Sequence, residues 1–185
     1  MAILSTDMVY QLHVRLADIE PPIWRQIVVP GVTLLGFHRM LQVVMGWENS
    51  HLHQFIVGST YYGEPDPEFE DGMKDDRRTR LRGIARKEGD NFLYEYDFGD
   101  SWRHVITVEN IQPWTQESMA PRCLDGARAC PPEDCGGIGG YEHLLEALRN
   151  SHHPEHEEMR AWAGKHFDPE RFSLQAVNSA FAILQ

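Results

Sequence analysis

Hydrophobic and polar positions alternate from residue 8 to 17, with Tyr10, Leu12, Val14 and Leu16 on one face and Gln11, His13 and Arg15 on the other. A period of two is the mark of a half-buried strand. Glu20, Pro21 and Pro22 break it, and Ile23 to Val29, rich in β-branched residues, reads as the return strand, stopped by Pro30 and Gly31. The period then lengthens. Leu34, Phe37, Leu41, Val44 and Met45 fall at helical spacing behind Thr33, a good N-cap, and ahead of Gly46, where a C′ glycine belongs. This predicts a helix from Leu34 to Met45 lying across the hairpin, with His38 at its surface or boundary. Alternation resumes from His51 to Val57, placing His51, His53 and Phe55 on one face and Leu52, Gln54 and Ile56 on the other. Gly58 to Gly89 is mostly turn-forming and charged, with a short strand suited to Tyr61 and Tyr62 and a short helical piece to Thr79 through Arg86.

The stretch YEYDFGDSWRH, Tyr94 to His104, has the pattern of an aromatic hairpin. With Gly99 and Asp100 as a two-residue type II′ turn, Asp97 faces Trp102, Glu95 faces His104 and Leu93 faces Ile106, while Phe92, Tyr94, Tyr96 and Phe98 form an aromatic face. A four-residue loop keeps the aromatic alternation and changes those partners. The hairpin runs to about Ile111. The resulting order, ββαβ…ββ, suggests an α+β fold: a mixed sheet with a helix packed on one face, like a β-grasp or an α/β roll. Beyond Pro113 a Cys/Gly/Pro-rich loop extends to residue 140, and helical spacing marks Tyr141 to Asn150, Pro154 to Lys165 and Ser173 to Leu184. We read 1–185 as a single domain: an α+β core over 1–112, the loop over 113–140 and a helical portion over 141–185.

Composition narrows the classes. The formal charge of −11 disfavours nonspecific binding to a phosphate backbone. Acids concentrate between Glu64 and Asp76, a run that suits a basic protein partner, and Trp24, Trp47, Trp102, Trp114 and Trp162 either fill the core or anchor a contact. Arg77, Arg78, Arg80, Arg82, Arg86 and Lys87 form a basic run that is either a solvated face or a local anion contact. No apolar run is long enough for a membrane span, and the first residues lack a basic leader and a cleavage site, so a cytoplasmic location with no membrane is expected.

Two sets of residues carry candidate chemistry. Cys123, Cys130 and Cys135 are thiolate donors suited to zinc, with His51, His53, His104 or His143 as a fourth ligand, although Cys-x6-Cys-x4-Cys lacks the short chelate of common zinc sites; the alternative is buried free thiols. The second set is His51, His53, Asp97, Asp100 and His104 at the sheet surface, with Glu133 and Asp134 folded over it. Mixed histidine and carboxylate ligands hold divalent ions that activate water for hydrolysis. The structural reading of the same residues is that Asp97 and Asp100 cap turn amides, His104 pairs with an acid, the His-x-His rings bond at the sheet surface, and Glu133 and Asp134 start a turn or helix.

PPIWRQIVVP, MGW, HLHQF, YEYDFGDSWRH and CLDGARACPPEDCGG, in that order, resemble the Ri-plasmid open-reading-frame-three-like family, whose members are also labelled insertion-element passenger proteins of the TnpR type. The resemblance spans nearly the whole chain and implies an α+β roll with a C-terminal helical portion. It implies an uncharacterised plasmid- or mobile-element-associated protein. It carries over no recombinase chemistry, since this acidic chain shows neither a nucleophilic serine set among arginines nor a basic DNA-binding helix. A non-catalytic binding or accessory module is the expected function; the alternative is a metal-binding protein or metal-dependent hydrolase using the His/Asp site beside the cysteine loop.

Overall fold

The computed structural model describes residues 8–66, 68, 72–115 and 120–183. The reading of the first residues, part of the acidic run and the end of the last helix lie outside them. Among the described residues the fold is α+β, with eight strands in one mixed sheet and four α-helices. The strands are β1 (Met8–Leu16), β2 (Trp24–Pro30), β3 (His53–Val57), β4 (Thr60–Gly63), β5 (Lys74–Asp75), β6 (Asn91–Tyr96), β7 (Trp102–Pro113) and β8 (Arg122–Ala127); the helices are α1 (Leu34–Met45), α2 (Gly137–Arg149), α3 (His156–Ala163) and α4 (Leu174–Ile183). The sheet runs β5-β4-β3-β6-β7-β1-β2-β8, and β5 alone pairs in parallel. The helical piece expected near Thr79 is a single 3-10 turn, Leu81–Gly83.

Helix α1 forms as its sequence directs. The Thr33 side chain accepts from the Gly36 amide, and Gly46 closes the helix at φ 97° with its amide on the Gln42 carbonyl. Its apolar stripe is buried against the sheet, where Phe37 stacks on Phe55 at 5.7 Å between centroids and meets Phe92 edge-on. Burying a side chain the size of Phe37 contributes about 1.5–3 kcal/mol. One expectation fails here: His38 is not a boundary residue but lies in the core with Gln42, because it finds polar partners there.

The stretch read as a Cys/Gly/Pro loop contains β8, which completes the sheet edge by pairing with β2. Its register slips between Gln26 and Ile27, so alternation is broken where a period-two search would look. Arg25, buried on β2, ties this edge to the rest. Its guanidinium donates to the carbonyls of Val44, Trp24, Ala127 and Arg128 at 2.7–3.0 Å and lies 4.5 Å from the Phe172 ring centroid. The end of α1, the exit of β8 and the C-terminal segment are thereby held together, which fixes where the 130–136 segment leaves the sheet. Gly126 is required beside it, since a Cβ there would lie 2.7 Å from Phe172 and 2.9 Å from Arg25.

Candidate metal centre and adjoining pocket

The hairpin between β6 and β7 closes through five residues, Asp97 to Ser101, rather than through a two-residue turn at Gly99 and Asp100. Left-handed backbone falls on Asp97 (φ 57°) and Ser101 (φ 56°), and Asp97 Oδ1 accepts from the amides of Gly99 (2.9 Å) and Asp100 (3.3 Å). Aspartate tolerates this conformation because its short carboxylate bonds the local backbone. The longer loop shifts every partner by one: Tyr94 faces His104, Glu95 faces Arg103 and Tyr96 faces Trp102. His104 therefore points into the aromatic core and does not pair with Glu95. Its Nδ1 donates to the Trp102 and Tyr94 carbonyls, its Nε2 accepts from Trp47, and burial lowers its pKa to about 4. With both nitrogens committed, this ring is structural.

The 130–136 segment docks on the hairpin tip. Glu133 Oε1 accepts from the Glu48 amide at 2.7 Å and from the Tyr96 hydroxyl at 3.0 Å, while Asp100 Oδ2 accepts from the Gly136 amide at 3.1 Å. Burial first, and Glu133 as well, push Tyr96 up to about 12, which keeps the phenol a donor. Gly137 allows the close approach: its φ is +66°, and a Cβ would stand 2.8 Å from the Asp100 carbonyl.

These contacts converge carboxylates on His51. Its Nε2 lies 3.0 Å from Asp134 Oδ1, 3.5 Å from Glu133 Oε2 and 3.6 Å from Asp97 Oδ2, yet it makes no hydrogen bond among the described residues and is shielded from solvent. Asp97 is oriented by the turn amides on Oδ1, which leaves Oδ2 toward the ring. Glu133 is oriented by Glu48 on Oε1 and by the Tyr96 hydroxyl, which reaches Oε1 at 3.0 Å and also Oε2, the oxygen facing the ring, at 3.3 Å. Ligands about 2.1 Å from one cation are separated by about 3.0 Å in an octahedron and about 3.4 Å in a tetrahedron. The three distances from Nε2 bracket those edges. One ligand atom each of His51, Asp97 and Asp134 lie within 4.8 Å of one another, and Glu133 adjoins that trio through the imidazole.

A second group begins two residues along the same strand. His53 Nε2 is 2.9 Å from Asp76 Oδ2, and its ring stacks on His38 at 3.5 Å between centroids and 7° between planes. The tautomer of His38 follows from its partners. Gln42 Nε2 donates to the Tyr94 hydroxyl, so that hydroxyl gives its own proton to His38 Nδ1, and His38 Nε2–H donates to Asn49 Oδ1. Burial, with His53 beside it, lowers His38 to about 4, in keeping with a neutral ring. Asp76 is 1% exposed, and its Oδ1 is buried without a hydrogen bond among the described residues. His51 and His53 share a cavity of about 290 Å³ whose other walls include His38, Arg39, Asn49, Leu52 and Phe98.

Of the residues singled out in the sequence, His51, Asp97, Glu133 and Asp134 come together, and Asp100 braces the loop that carries the last two. His53 lies on the neighbouring wall and His104 in the core. The cysteines form no part of either potential ligand cluster among the described residues: one is the group above, and the other is His143, His153 and Glu155 on the surface. Burial raises all three thiols, Cys123 to about 11 and Cys135 to about 12. Asp76, His38 and Tyr96 were not assigned to a site by the sequence, because an acid ending a charged run, a helical histidine and a core tyrosine carry no mark of it.

A model of the family described as Plasmid pRiA4b ORF-3-like protein matches residues 8–176. The uncharacterized protein y4hQ of Sinorhizobium fredii (strain NBRC 101917 / NGR234) is 38% identical over 175 residues, which is 93% of this chain and 90% of that protein. The crystal structure of protein of unknown function MM3350 from Methanosarcina mazei Go1 is similar with a TM-score of 0.82 at 36% identity, over 91% of this chain and 97% of that one.

Proposed function

We propose, for a chain that belongs to the plasmid pRiA4b ORF-3-like family, that it is a divalent-cation-binding protein whose ligands are His51, Asp97, Glu133 and Asp134. The observation that carries this reading is the buried, unbonded Nε2 of His51 with carboxylate oxygens at 3.0, 3.5 and 3.6 Å. Three carboxylates around one imidazole repel one another, and even a protonated ring offsets only one of the charges. A 2+ ion offsets two and uses the lone pair of Nε2 directly. One imidazole with carboxylates suits Mn²⁺ or Zn²⁺. The outer partners supply what metal ligands ordinarily need: turn amides hold Asp97, and Tyr96 with the Glu48 amide holds Glu133.

Calorimetric titration of chelator-treated protein with MnCl₂ and with ZnCl₂, beside elemental analysis of protein purified without chelator, tests this. One ion per chain is expected, with affinity lost in His51→Gln and Glu133→Gln. Wild-type protein that takes up neither ion overturns the reading.

A further inference from the structure

We infer that the cavity beside the cation centre is a hydrolytic site for small uncharged acyl esters, in which His53 is the catalytic base and Asp76 the residue that positions it; this rests on the cation reading above. The His53–Asp76 pair has the makings of a held base. Asp76 is 1% exposed, and among the described residues Oδ1 has no hydrogen bond and His53 is the one side chain to which this carboxylate bonds. The ring cannot turn away, because its face lies on His38, itself pinned by Tyr94 at 2.8 Å and Asn49 at 2.6 Å. With Asp76 accepting at Nε2, that nitrogen carries the hydrogen and the lone pair is on Nδ1, for which no described residue supplies a partner.

The cavity that His53 lines is also lined by His51, one of the proposed ligands, so an ion held there would supply a polarising charge beside the base. Substrate class follows from charge and walls. Three carboxylates against a 2+ ion leave the centre net negative, which turns away a phosphate dianion and admits a neutral carbonyl. Arg39 and Glu64 bring opposite charges to the lining, Leu35, Leu52, Met73 and Phe98 supply its apolar surface, and a volume of about 290 Å³ restricts the site to small molecules.

In the step itself, water gives one proton to His53 Nδ1 as its oxygen bonds to the ester carbonyl carbon, and the carbonyl electron pair moves onto oxygen. When that pair returns, the bond from carbon to the alkoxy oxygen breaks. His53 hands its proton to the departing oxygen, so acid and alcohol leave and the base is restored.

The test is hydrolysis of p-nitrophenyl acetate by Mn²⁺-loaded protein, with Mn²⁺ binding measured on the same samples. Wild type should turn over saturably and lose activity with chelator. His53→Gln should lower kcat by about 100-fold or more with KM and Mn²⁺ affinity kept. Asp76→Asn should lower kcat in the same manner, and added imidazole should restore turnover to His53→Ala, which a structural role for the ring does not explain. Protein that binds Mn²⁺ without turnover, a His53→Gln variant with wild-type kcat, or faster hydrolysis of p-nitrophenyl phosphate than of the acetate overturns this inference and leaves cation binding standing. Protein that binds no Mn²⁺ and no Zn²⁺ overturns the cation reading itself.

Discussion

Asp97→Asn isolates charge from geometry at the proposed cation centre. Asparagine tolerates the left-handed backbone that Asp97 adopts at φ 57°, and its side-chain oxygen still accepts from the amides of Gly99 and Asp100, so the five-residue turn is kept. What is lost is one negative charge facing the ion. A unit charge about 2.2 Å from a 2+ ion is worth about 4 kcal/mol even at the dielectric of water, or nearly three decades of affinity. An amide oxygen that stays in place recovers part of that, so we expect binding about 100-fold weaker. The readout is thermal unfolding at a fixed ion concentration, set at about 100 times the wild-type Kd, where linkage gives about 2.7 kcal/mol of stabilisation. For a chain of 185 residues this raises wild-type Tm by roughly 5–10 °C. The same concentration is only about equal to the variant's Kd, which gives about 0.4 kcal/mol and a shift of about 1 °C. Without ion the variant should melt at or above wild type, because it removes repulsion among Asp97, Glu133 and Asp134. An ion-induced shift equal to that of wild type would show that Asp97 is no ligand and refute the reasoning.

Two further predictions concern buried groups. His104 and His38 each have a folded pKa of about 4 against 6.5 for the free side chain, so the unfolded chain binds more protons between those values; stability is complete above about pH 6.5 and falls as pH drops toward 4, by up to about 1.4 kcal/mol per pH unit for each ring. Urea unfolding from pH 7 to 5 should show a shallower slope in His104→Gln, and an unchanged slope refutes this. The thiols of Cys123 and Cys135, at about 11 and 12, should react with a disulfide reagent at pH 8 about 100-fold or more slowly than free cysteine. If zinc sits among carboxylates, chelator leaves those rates unchanged; a chelator-dependent burst would place the ion on sulfur.

Local pattern carried the sequence reading wherever one period ran long enough to be distinctive. β1, β2 and α1 fall where alternation and helical spacing put them, and Thr33 and Gly46 cap as read. The reading broke where tertiary contacts supplied the cause. Gly99 invited a tight turn, but Asp97 closes the loop earlier by taking left-handed backbone and bonding the next amides itself. β8 is masked by glycine and by its register slip, and it exists because β2 offers an unpaired edge. His38 broke the rule that places a helical histidine at the surface, since its two partners come from Tyr94 and Asn49, far apart in the chain.

The His-x-His pair shows why the site was only partly legible. Two side chains at i and i+2 share a face, and that much alternation establishes. It does not establish a chelate, because each ring is claimed by the acids that long-range folding brings to it: His51 by the hairpin tip and the 133–134 segment, His53 by Asp76 at the end of a charged run. Asp76 is the clearer case. In the sequence it is one acid among many between Glu64 and Asp76, yet the chain turns there toward α1, with the Leu35 amide on its carbonyl, and takes its carboxylate out of solvent. A buried carboxylate needs a compensating partner, so its burial and the placement of His53 are one fact. Alternation put the two histidines on one face, and the fold gave each ring its own acids along one cavity instead of a shared set between them.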